Sequence, residues 1–149
     1  MAIELESKID YLSLARELEK PVREAGQAIL DIYYQGSAVQ IKDDGSPVTK
    51  ADLASEAILL PAISVAAPSI QIVSEENATS HGLAVTDRFF LVDPLDGTKE
   101  FLKADNKGAF TVNIGLVEGG MPVMGIVYAP ALDRLFFGAR DSGAFEMFG

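Results

Sequence analysis

Two aspartates, Asp93 and Asp96, stand in the segment Asp93-Pro94-Leu95-Asp96-Gly97-Thr98, directly after the apolar run Phe89-Phe90-Leu91-Val92. Upstream, a second apolar run, Ile70-Gln71-Ile72-Val73-Ser74, delivers another acidic pair, Glu75-Glu76. Carboxylates brought to two strand ends are the oxygen ligands that magnesium and similar hard cations take. Gly97 lets the backbone come close to a ligand, and the amides of Gly97 and Thr98 are candidate anion donors if a short helix follows. Acid and amide side by side point to a phosphate held through cations. Asp-Gly alone is ordinary turn chemistry. A simple turn, however, needs neither the second aspartate, nor Thr98, nor a Glu-Glu pair at the end of another strand.

Composition narrows what such a site can serve. At 149 residues and 48% hydrophobic content, the chain has the material for one domain with a real core. It contains no cysteine, so disulfides, thiolate metal sites and thiol catalysis are excluded, in keeping with a reducing compartment. The single histidine, His81, lies in a polar segment without the partners that a catalytic base needs. A formal charge of -10 argues against binding to a nucleic-acid polymer, because there is no basic stripe to displace counterions. The same charge would repel a small phosphate unless cations reversed the local sign at the acids. With no signal-peptide pattern at the amino terminus and no apolar run of membrane-spanning length, a soluble, cytoplasmic protein is expected.

The elements that must position these residues follow from periodicity. Leu14, Leu18, Val22, Ala25, Ile29 and Ile32 recur at helical spacing over about 7–34, with Pro21 expected to kink that helix or divide it into a short and a longer piece. A second helix is predicted over 49–66, with Leu53, Ala57, Leu60 and Ser64 along one side and Pro61 weakening its later turns. From Ser69 onward the pattern turns strand-like, over 70–74, 88–92, 111–117, 123–128, 134–138 and 144–148. Glu118-Gly119-Gly120 and Asp141-Ser142-Gly143 have hairpin chemistry, so the last four strands should form an antiparallel meander. Two amino-terminal helices packed on a mainly antiparallel sheet give an α+β fold.

Other phosphate and cation motifs fit poorly. Haloacid-dehalogenase-like phosphatases read Asp-x-Asp-Gly-Thr, whereas the position two before Asp96 is Pro94, so their aspartyl nucleophile is missing. A Walker pattern is absent, and the acids do not alternate as an EF-hand loop requires. The three segments taken together, Asp44-Gly45-Ser46-Pro47-Val48-Thr49-Lys50-Ala51-Asp52, Ser74-Glu75-Glu76 and the Asp93 to Thr98 hexapeptide, resemble the lithium-sensitive, magnesium-dependent inositol monophosphatase superfamily. Lys99-Glu100-Phe101, Phe110-Thr111-Val112-Asn113-Ile114 and Gly125 to Pro130 are similar to its bacterial 3'(2'),5'-bisphosphate nucleotidase branch.

The resemblance implies a phosphomonoesterase that removes the 3'-phosphate of adenosine 3',5'-bisphosphate to leave AMP, a step of sulfate assimilation. Inositol monophosphatase or sugar bisphosphatase activity is the near alternative, and a non-catalytic cation-binding or oligomerising fragment the distant one. It further implies that Glu75, Asp93, the Leu95 carbonyl and Asp96 bind two or three magnesium ions, with Asp93 as bridge. Lithium and calcium would inhibit. Glu76 would hold a water of the metal shell, and Thr98 would orient the attacking water with Asp52 behind it. Gly97 and Thr98 would hold the phosphate, while Lys99 could add charge for a second one. Asp52 equally suits the first turn of a helix, where negative charge is favourable. Gly108-Ala109-Phe110 departs from the Gly-Glu-Phe of close relatives.

By the same resemblance, residues 1–149 form an amino-terminal metal- and phosphate-binding domain. A second α/β domain carrying a Trp-Asp motif is expected after it and is not in this sequence. The chain is therefore expected to be a truncated unit with little activity. Bare apolar surface would drive homodimer formation or other self-association, with the sheet edge at 144–148 as its place, and peripheral association with the inner membrane is a further implication of the resemblance.

Overall fold

Asp10 opens the first helix by accepting the Ser13 amide on its side chain, and this cap begins the part of the chain whose structure is described. A computed structural model describes residues 10–35, 47–74, 87–103 and 108–148. Helix α1 covers Tyr11–Glu17 and α2 covers Glu19–Gln35, with the break at Leu18. Pro21 thus falls in the first turn of α2, where its missing N–H has no helical partner to lose, and the expected division into a short and a longer piece is what the fold contains. The stripe of Leu14, Leu18, Val22, Ala25 and Ile29 is buried, and Ile32 packs at its margin.

Helix α3, Pro47–Ala66, corrects the expected orientation. Ala51, Ser55, Leu59 and Ile63 enter the core, whereas Leu53, Ala57 and Ser64 are exposed and Leu60 is only half-buried. Apolar residues occur on every side of this helix, so periodicity alone could not set its phase. Pro61 does not end it either. The proline sits on the exposed side, and Ala67 still donates to the Ile63 carbonyl at 2.8 Å.

Among the described residues six strands form one sheet in chain order, namely β1 Gln71–Ser74, β2 Arg88–Asp96, β3 Thr111–Glu118, β4 Met121–Ala129, β5 Arg134–Ala139 and β6 Gly143–Phe148. β1 runs parallel to β2 and every later pair is antiparallel, so the meander is as expected. Gly119 and Gly120 make the two-residue turn between β3 and β4, both with positive φ. A short helix α4, Thr98–Lys103, follows β2.

The helices cover one face of the sheet through Phe90, Val92, Val112, Ile114, Leu116, Ile126 and Leu135. On the other face Leu91, Val127 and Phe136 are exposed. Between them Gly115 pairs with Gly125, and these two glycines floor a shallow depression of about 480 Å³ that extends to Asp93. A Cβ at Gly115 or Gly125 would meet nothing nearer than 3.9 Å, so no close contact within the chain demands glycine there.

A polar junction ties helix α1 to the sheet. The Tyr11 hydroxyl donates to Glu118 Oε1 at 2.7 Å and Arg88 Nε to Glu118 Oε2 at 2.6 Å. The Tyr11 hydrogen bond holds the Glu118 carboxyl below the ordinary value of 4.5; partial burial opposes this and Arg88 adds to it. A depressed folded-state value means that the carboxylate stabilises the fold above about pH 4.5, and that this contribution fades as pH falls through the lower folded value. Glu118→Gln should therefore lower the thermal midpoint by about 4 °C at pH 7. In calorimetry the gap between variant and parent should narrow steadily as the pH is lowered below 4.5, and a constant gap would show that the charge is not responsible.

Candidate functional site

A regular strand would send Asp93 and Asp96 to opposite faces, because side chains alternate. β2 does not stay regular. Asp93 pairs with Asn113 and Asp96 with Thr111, leaving Pro94 and Leu95 opposite the single residue Val112. This β-bulge restores parity, so both aspartates share the face of Asn113 and Thr111 while Leu95 is buried at 2% exposure. Pro94 is tolerated there because a bulge residue owes no amide to the ladder. The expected geometry, acids beyond a strand ending at Val92, is corrected accordingly: the strand continues through Asp96.

The bulge is held by side chains. Leu95 N–H donates to Asp93 Oδ1 at 3.3 Å, and the buried Ser55 hydroxyl donates to the Pro94 carbonyl at 2.9 Å. Asp52, 6% exposed, lies on α3 one turn before Ser55, so the same helical turn that carries this acid abuts the bulge. On β3, opposite the two aspartates, Asn113 Nδ2 donates to the Thr111 carbonyl at 3.2 Å and to Thr111 Oγ1 at 3.0 Å. Polar residues alternating within an otherwise apolar β3 were the sequence signal for this pair. Ser55 gave a fainter one, a hydroxyl among apolar helix residues.

After Asp96 the chain turns at Gly97, whose φ is +92°. A Cβ there would meet the Ala109 carbonyl oxygen at 2.7 Å and Phe110 Cα at 3.1 Å, so this corner accepts glycine only. The Gly97 carbonyl accepts from Phe101 N–H at 3.0 Å, starting α4. Phe101 then buries its ring among Tyr33 and Phe110, with centroids 5.4 Å from each, which anchors the exposed Thr98 and Lys99 beside the aspartates.

Glu75 and Glu76 lie outside the described residues. β1 ends at Ser74, which stands opposite Val92, so the first strand leaves the sheet at the level of Asp93. Asp43, Asp44 and His81 also lie outside the described residues. Among the described residues no three histidine, cysteine or acidic side chains gather closely enough to hold a metal ion. Two carboxylates on one face, with carbonyl and hydroxyl oxygens near them, are oxygen donors of the kind that hard cations take. No helix of the described residues is long and apolar enough to cross a membrane.

Residues 11–147 match the inositol monophosphatase family. The 3'(2'),5'-bisphosphate nucleotidase CysQ of Salmonella typhimurium is 43% identical over 121 residues, which cover 79% of this chain and 48% of that protein. CysQ of Aggregatibacter actinomycetemcomitans is 32% identical over 138 residues, covering 89% and 49%. Among solved structures, CysQ from Bacteroides thetaiotaomicron superposes with a TM-score of 0.74 at 35% identity, covering 95% of this chain and 51% of its own. Inositol monophosphatase II from Staphylococcus aureus gives 0.73 at 26% identity, covering 91% and 49%. The chain spans about half the length of the curated relatives it matches.

Gly97→Ala should lower stability by about 2 kcal/mol or more, because it adds both left-handed strain and a backbone collision. Urea unfolding of the two proteins side by side measures this. A difference near zero would mean that the corner can open without cost.

Proposed function

The chain belongs to the inositol monophosphatase family, and from that premise we propose that it supplies one wall of a magnesium-dependent phosphomonoesterase acting on the 3'-phosphate of adenosine 3',5'-bisphosphate, with AMP and phosphate as products. The observation that carries this reading is the bulge that turns Asp93 and Asp96 to one face, in a chain 43% identical to a nucleotidase of that name. Asp93, Asp96, the Leu95 carbonyl and Glu75 would hold the cations. When bound, magnesium supplies positive charge against the phosphate oxygens and eases deprotonation of water.

The chain's own residues do the remainder. Thr98 orients the attacking water, Asp52 accepts the proton demand passed through the threonine hydroxyl, and Glu76 positions a second water. A threonine is no base by itself, so a carboxylate behind it is what makes the pair useful. The Gly97 and Thr98 amides meet the phosphate, and exposed Lys99 offers charge to a second phosphate. The same reading takes the protein as cytoplasmic and the reaction as part of sulfur assimilation. Likeness to an inositol monophosphatase keeps inositol phosphates as the second substrate class to assay.

The open sheet face supports a partner as well. Leu91, Val127 and Phe136 around a glycine floor form apolar surface that a further layer, or a second copy of the chain, would cover. Light scattering of the 149-residue chain should give a mass above 15.9 kDa, and Phe136→Glu with Val127→Glu should bring it to the monomer value. A monodisperse parent monomer would end this reading.

The catalytic proposal is tested by phosphate release from adenosine 3',5'-bisphosphate and from inositol monophosphate. The 149-residue chain should turn over little of either. In a protein extended to the length of the relatives, Asp93→Asn, Asp96→Asn or Asp52→Asn should each reduce the rate at least about a hundredfold while the circular dichroism spectrum is retained. Variants with full activity would remove these residues from the chemistry.

A further inference from the structure

Asp52, Ser55 and Glu56 occupy positions i, i+3 and i+4 of α3, so they project from one side of a single helical turn. Two of them reach different strands. Ser55, fully buried, donates to the Pro94 carbonyl of the β2 bulge at 2.9 Å, 39 residues along the chain. Glu56 Oε2 accepts from the Ser74 hydroxyl at 2.6 Å, and Ser74, itself 1% exposed, is the last residue of β1 and immediately precedes Glu75. We propose that Ser55 and Glu56 are positioning residues, and that this turn of α3 is a rack holding both acid-bearing strand ends in register with Asp52.

The mechanism at Ser55 is peptide geometry. The Pro94–Leu95 peptide group is planar and trans, so its carbonyl and its N–H point in opposite directions. Ser55 fixes the carbonyl, which aims the Leu95 N–H at Asp93 Oδ1. The hydroxyl thereby sets the rotation of the Asp93 carboxylate without touching a ligand. An unheld bulge carbonyl could rotate, because the extra residue has no ladder partner to stop it. Glu56 acts at the other strand, fixing where β1 hands over to Glu75. A turn that grips both strands keeps their separation constant, and that separation is what a cation shared by carboxylates from two strands requires.

The inference rests on the cation reading above for its purpose, but not for its geometry, and the test separates the two. Amide hydrogen exchange of the 149-residue chain is followed by NMR, and Mn²⁺ binding by the electron paramagnetic resonance of the free ion. Ser55→Ala should speed exchange at Leu95 about tenfold and weaken Mn²⁺ binding about tenfold, with Leu116 and Ile126 in the sheet centre unmoved. Ser55→Thr, which keeps the hydroxyl, should return both to within about twofold of the parent. Glu56→Ala should speed exchange at Ser74 and weaken Mn²⁺ binding similarly, whereas Glu56→Gln keeps an acceptor and should restore both. Unchanged Leu95 and Ser74 exchange in the alanine variants, equal acceleration throughout the sheet, or failure of the threonine and glutamine variants to rescue would each overturn the rack. A parent chain that binds no Mn²⁺ would instead sink the cation reading, and the exchange measurements would still decide the rack.

Discussion

A β-strand presents successive side chains to opposite faces, so two carboxylates three residues apart on one strand cannot serve one ligand unless a residue is inserted between them. In β2 the Pro94-Leu95 bulge is that insertion, and the arrangement of the site follows from it. It turns Asp96 to the side of Asp93, sinks Leu95 into the core and leaves a carbonyl without a ladder partner for Ser55 to meet. Proline is well suited to the position because it has no amide to leave unsatisfied. The strand gives up regular pairing at this one place and gains a shared acidic face.

Such an irregularity persists only if its surroundings over-determine it. Three supports converge here. α3 grips the bulge from the helix side through Ser55 and grips the end of β1 through Glu56 and Ser74. The Gly97 corner packs so tightly on Ala109 and Phe110 that no other residue fits. The cluster of Tyr33, Phe101 and Phe110 then locks α4, and with it Thr98, in place. Apolar burial supplies the rigidity and a few hydrogen bonds supply the aim, a division that suits side chains that must hold one orientation.

Chemistry was more legible than geometry. The Asp93 to Thr98 segment, Glu75, Glu76 and Asp52 pointed to phosphate chemistry because residue type and order survive in one dimension, and the match of residues 11–147 to the inositol monophosphatase family agrees with the phosphatase part of that reading. The meander was readable for a similar reason, since hairpin turns are local. The phase of α3 was not. Apolar residues surround that helix, so Leu53 and Leu59 look equivalent in sequence, and only packing against the sheet exposes one and buries the other. Ser55 was overlooked with it, since a small hydroxyl residue matters here only because a bulge carbonyl lies opposite.

What the sequence determined by itself, then, was the inventory and the local grammar: acids after apolar runs, glycine where a turn must form, a proline that splits the first helix, and alternating residues that pair as antiparallel strands. These depend on near neighbours and on residue chemistry. The tertiary structure alone decided that Asp93 and Asp96 share a face, that Ser55 and Glu56 hold two strands from one helical turn, and that a glycine-floored apolar face continues to Asp93. The physical reason is that parity across a bulge and the phase of a helix with apolar residues on every side are set by contacts between distant segments, Ser55 and Pro94 being 39 residues apart, which no local pattern encodes.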